Sequence, residues 1–228
     1  MPKLNFLKFR SSAVSLALVL GIAPAYAQTQ PPVSSGFLAD YSKLQPAAER
    51  EGVRSWVNRS ADYRHYSKIM FHPTVVVVTP GPDYKGVQPD ALKRMTDNFA
   101  AAFKSALSPA YQIVNEPGPD VLQLRLAITG VQPVSPGLNP TDLLPIKAVF
   151  NIGRAAAGKS PQVAEMSAEM EVLDGAGKPV AAAVATRKGD QTLNQGESVT
   201  WKHLEAITAY WAGSFRERLD ELRNGARQ

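Results

Sequence analysis

Residues 164–187 read AEMSAEMEVLDGAGKPVAAAVATR, and the choice between helix and hairpin here settles the class of the domain. Met166, Ala168, Met170 and Val172 alternate with Glu165, Ser167, Glu169 and Glu171, a period of two that puts the apolar set on one side of a strand. Val163, Met166, Met170 and Leu173 also fit helical spacing. Two features break the tie: residues 174–178 (DGAGK) accept turn geometry, and residues 179–187 form a second apolar run of strand length. The economical reading is a β-hairpin. Glu165, Glu169 and Glu171 then share one strand face. They could hold a cation there, but the commoner explanation is a solvated face.

Working towards the N-terminus, residues 121–131 alternate, with Leu122, Leu124, Leu126 and Ile128 on one side and Gln123, Arg125 and Thr129 largely on the other. Residues 111–115 are a further short strand. The four prolines 133, 136, 140 and 145 mark a long irregular connection between this strand and the hairpin. Residues 89–107 predict a helix, because Leu92, Met95, Phe99, Ala102, Phe103 and Ala106 recur at steps of three and four and Pro89 suits a first turn. Residues 69–79 contain four consecutive valines and predict a strand, with Pro73 demanding an edge position or a bulge. Towards the C-terminus, residues 199–223 predict a long amphipathic helix with Leu204, Ile207, Trp211, Phe215, Leu219 and Leu222 on one face. The expected fold is α+β: a two-layer domain with a mainly antiparallel sheet of about four or five strands packed against two amphipathic helices.

The first 27 residues have the three parts of an export signal. Lys3, Lys8 and Arg10 precede the apolar run 13–23, Pro24 breaks it, and Ala25-Tyr26-Ala27 supplies the small-x-small site. Cleavage after Ala27 would leave a polar, proline-containing tether at 28–35 and a single domain at 36–228. It would also remove three of the 25 Lys+Arg and none of the 20 Asp+Glu, lowering the net charge from +5 to +2. That balance gives no support for a nucleic-acid partner. No other run is long enough to span a bilayer as a helix. The chain has no cysteine, which excludes disulfides, thiolate sites and a thioether lipid anchor.

Residues 153–160, GRAAAGKS, satisfy every fixed position of a phosphate-binding loop. Their context opposes that reading. Pro161 follows directly, a strand pattern replaces the required helix, and no apolar strand ends in the aspartate that would hold magnesium. A surface loop is the better account. His65, His72 and His203 have no metal-ligand spacing, and no serine-hydrolase elbow is present, so no metal, cofactor or catalytic residue is expected. Phe37, Tyr41, Trp56, Tyr63 and Tyr66 form an aromatic group among charges at 37–66, where loop or short helix is expected. The group serves either to pin this segment to the core or as a partner-binding surface.

GFLADYSKLQP (36–46), the stretch holding Tyr63, Tyr66 and Pro73, FKSAL (103–107) and WKHLEAITAYWAGSFRERLDEL (201–222) together resemble domain-of-unknown-function family 3313. The resemblance implies a Gram-negative envelope protein, in a family whose members are usually predicted lipoproteins and have no established activity. The missing lipobox cysteine implies a soluble periplasmic form for this chain. Two functions follow as expectations: a non-catalytic module binding another envelope component, or a periplasmic enzyme using His65 or His72 with a carboxylate brought close by folding.

Overall fold

The hairpin predicted at 164–187 is present and longer than its sequence signal: β7 (Gln162–Leu173) and β8 (Pro179–Leu193) pair antiparallel along their length. Asp174 builds the turn, its Oδ1 accepting the N–H groups of Ala176 at 3.0 Å and Lys178 at 2.9 Å. Gly177 stands at φ 82°, a conformation a side chain would strain. These elements belong to a computed structural model, which describes residues 34–48, 50–77, 89–136 and 161–225, all within the compact unit Pro32–Gln228. The export signal at 1–27, most of the 28–35 tether and the 153–160 loop lie outside the described residues.

The remaining strands are β1 (Gln45–Pro46), β2 (Val53–Val57), β3 (Lys68–Phe71), β4 (Val75–Val76), β5 (Gln112–Val114) and β6 (Val121–Val134). They complete an eight-stranded sheet of order β1-β2-β8-β7-β6-β3-β5, with β4 also on β6. The sheet is mixed, which corrects the expectation of four or five mainly antiparallel strands. β3 runs parallel to both β5 and β6, and β4 runs parallel to β6. The extra strands have local causes. Pro73 has no N–H to give the ladder, so the 69–79 run divides into β3 and β4, with one more residue on their side than on β6. β1 and β2 occupy part of the segment expected to be loop or short helix, of which a 3-10 turn at Tyr63–His65 is present. VRSWV is too short and mixed to show a period until β8 pairs with it.

The two helices fall where the periodicity put them: α1 at Pro89–Leu107 and α2 at Trp201–Arg223. They cover one face of the sheet, called inner here. Leu122, Leu124, Leu126 and Ile128 of β6 are buried there with Phe99, Phe103 and Trp211. The rings of Phe99 and Trp211 meet edge-on, with centroids 6.5 Å apart. Gly189 of β8 lets α2 approach closely, since a Cβ there would lie 3.0 Å from the His203 carbonyl oxygen.

Candidate functional site

The outer face of the sheet is where the structure departs most from expectation. Glu165, Glu169 and Glu171 do share one face of β7, but it is not solvated: all three are at most 4% exposed. Residues 35–44 lie across it as a strap. Leu38 and Leu44 form a second small core with Ala182 and Val184, and Phe37, Tyr41 and Trp56 pack on it.

Tyr41 organises the strap. Its hydroxyl donates to Glu169 Oε2 at 2.5 Å, accepts the N–H groups of Phe37 and Leu38 at 3.1 Å each, and lies 2.9 Å from Ser35 Oγ. Glu171 takes the Ala39 N–H on Oε1 at 2.9 Å and the Arg125 guanidinium on Oε2. Arg125 also stacks 4.8 Å from the Phe37 ring centroid. Burial pushes the Glu169 carboxyl above its ordinary value, against the Tyr41 hydroxyl that donates to it. Glu165 receives Gln132 Nε2 at 2.8 Å on one oxygen, while its other oxygen is buried without a partner. Among the described residues no group of three metal-ligating side chains is assembled.

The expected aromatic group is thus divided by the sheet. Phe37, Tyr41 and Trp56 belong to the strap side. Tyr63 and Tyr66 sit in the inner core, 4% and 5% exposed. Tyr63 donates to the Val180 carbonyl at 2.8 Å, and burial pushes its phenol up to about 12.

The histidines take local roles. His65 is exposed and lies ring against ring with Tyr66 at 3.9 Å, and His72 Nε2 is 3.0 Å from Gln123 Oε1. Neither forms an ion pair with a carboxylate among the described residues. His203 does lie near an acid, with Nε2 3.3 Å from Glu197 Oε1. Its Nδ1 accepts the Thr200 N–H at 3.0 Å, so the proton of the neutral ring is on Nε2, facing Glu197. That arrangement caps the start of α2.

A cleft that sequence reasoning missed opens between α2 and the β2–β8 side of the inner face, with a volume of about 150 Å³. Ala181, Ala183 and Ala185 form its floor on β8, with Val53 and Val57 beside them on β2. Trp211, Phe215 and Leu219 of α2 form the roof, and Tyr210 stands at the rim, 40% exposed. The cause is volume: three alanines in alternate positions leave unfilled the space that larger side chains would occupy under a helix. The signal was present as the run VAAAVA at 180–185, but the run does not say that a helix stands off above it.

The family model for a protein of unknown function, DUF3313, matches residues 33–215. The chain is 28% identical over 182 residues to an uncharacterized lipoprotein, YdcL, of Escherichia coli strain K12, covering 78% of this chain and 82% of that protein. The same figures hold for YdcL of Escherichia coli O157:H7. Among solved structures, it is similar to the PelC dodecamer from Paraburkholderia phytofirmans, with TM-score 0.36, 11% identity and coverage of 71% of this chain and 92% of that one. It is also similar to a minor lipoprotein from Acinetobacter baumannii, with TM-score 0.35, 13% identity and coverage of 70% and 94%. A DUF4136 family protein from Bacteroides thetaiotaomicron gives TM-score 0.37 and 10% identity, over 77% of this chain and 98% of that one. The match over residues 33–215 carries the strap, the sheet and most of α2, and on it the chain belongs to the DUF3313 family.

Proposed function

We propose that this protein is a non-catalytic binding module of the cell envelope that receives an apolar group in the cleft beneath α2. The cleft carries the reading: it is concave, lined mainly by apolar side chains, and bordered by a few polar groups that could orient a ligand. The address is supported by the signal pattern at 1–27 and by relatives that are lipoproteins. In this reading the signal is cleaved after Ala27, and the tether at 28–35 leads to a single domain at 36–228. The exported form is periplasmic. Phe37, Tyr41 and Trp56 remain the aromatic part of a partner surface on the strap side, while Tyr63 and Tyr66 support it from the core. The alternative of a hydrolase using His65 or His72 gains no support from the surroundings of either ring.

The test is a titration of purified protein with the apolar fluorophore N-phenylnaphthylamine. Ala183→Phe and Ala185→Leu fill the floor of the cleft and should abolish the fluorescence gain while the far-UV circular dichroism stays the same. No gain with the unsubstituted protein, or an equal gain in both folded variants, would overturn the assignment.

A further inference from the structure

The two ends of the cleft differ in charge. Arg50 lines it just ahead of β2, whose first residue, Val53, pairs with Ala185. Arg187 follows Ala185 by two residues on β8, hence on the same face, and its guanidinium lies 3.7 Å from the centroid of Tyr210 at the rim. Both cations therefore belong to one end. The far end is formed by Tyr63 and Leu222, and its cation, Arg218, is engaged by Glu221 at 2.8 Å.

Arg50 and Arg187 have no carboxylate partner among the described residues. Glu51, next to Arg50 in the chain, is exposed and forms no ion pair with it. Glu169 is the one acid among the described lining residues, and its Oε2 is turned to the outer face, where it takes the Tyr41 hydroxyl. The result is an apolar trough with two guanidinium groups at one end, Arg50 on its lining and Arg187 beside Tyr210 at its rim, neither paired with a carboxylate among the described residues.

We propose that the ligand is a linear alkyl chain ending in a carboxylate, a fatty-acid-type amphiphile, with its chain in the trough and its head at Arg50 and Arg187. This rests on the reading that the cleft takes an apolar group. A planar guanidinium meets both carboxylate oxygens, and two of them at an apolar mouth favour an anion over a neutral or cationic head. The cleft is open at its rim and its enclosed part, about 150 Å³, holds roughly six carbons or one ring of the larger probe, so a slightly longer chain brings its head to the rim.

Octanoate, octanol and octylamine share the chain and differ in head charge. Each is titrated against N-phenylnaphthylamine bound to the purified protein at neutral pH. Octanoate should displace the probe at a concentration about tenfold lower than octanol, with octylamine weakest, and added salt should narrow the gap. Arg50→Gln and Arg187→Gln should bring octanoate to the level of octanol and leave octanol unchanged. Arg50→Lys should keep part of the preference, which separates loss of charge from loss of packing.

Equal displacement by octanoate and octanol overturns the head-group assignment and leaves the apolar cleft standing. If the probe does not bind, both fall. Dimerisation in light scattering that is abolished by Ala183→Phe and unaffected by octanoate would place a second copy on this surface and also overturn the proposal.

Discussion

The inner face of the sheet is covered by α1 and α2, whose apolar stripes meet leucines, an isoleucine and aromatic rings. The outer face, along the same strands, is covered in part by residues 35–44, which form no helix and reach the buried carboxylates of Glu169 and Glu171. The inner face is held by the removal of apolar surface from water, which has no directional requirement. The outer face depends on hydrogen bonds and an ion pair reaching Glu169 and Glu171, whose burial would be unfavourable without them. The difference shows two ways of closing one sheet, the first tolerant of small shifts and the second dependent on particular atoms.

The largest effect is expected on the inner face. Leu124→Ala removes a side chain 1% exposed and should lower stability by about 3 kcal/mol, read as a fall in the urea midpoint. A loss under about 1 kcal/mol would mean that this core collapses around the gap, and the contrast between the faces would weaken.

Next comes the outer ion pair. Arg125→Met leaves the Glu171 carboxylate, 2% exposed, with the Ala39 N–H but without its cation. The expected loss is about 2 kcal/mol, below that of a fully buried pair because Arg125 is itself a third exposed. Adding Glu171→Met should restore much of it, and a double-mutant cycle in urea measures the coupling. Strictly additive losses would show that the pair does not hold the strap.

The smallest effect is a slope. The carboxyl of Glu169 is raised above 4.5, so the folded protein keeps that proton to higher pH than the unfolded chain does. This group therefore weakens stability as pH rises from about 4.5 through the raised folded value, and the unfavourable contribution vanishes as pH falls below that window. Glu169→Gln should remove this slope, so that stability relative to the unsubstituted protein increases with pH in urea titrations towards neutrality. Parallel pH profiles for the two proteins would refute it.

The legible parts of the chain are those where a local period implies a face. The helix at Pro89–Leu107 and the hairpin around residues 174–178 could be read because their covering surfaces are amphipathic over many residues. β2 has five residues and no clean period, so its strand state depends on β8, more than a hundred residues away. The parallel pairing of β3 with β6 is equally non-local. The aromatic residues at 37–66 were visible as a group, but not their division across the sheet. The cleft depends on the height of α2 above three alanines, and no single segment encodes that distance.

What the sequence determined by itself was which side chains share a face: Glu165 with Glu169 and Glu171, Ala181 with Ala183 and Ala185, and the stripe of α2 from Leu204 to Leu222. A strand has a period of two and a helix one of 3.6 whatever their surroundings. What only the tertiary structure decided was what covers each face. Tyr41 reaches Glu169 across 128 residues, and Trp211 stands over Ala183 and Ala185 without filling the space between. Periodicity orients a side chain, but burial, proton affinity and an open cleft depend on a second segment that the local pattern does not specify.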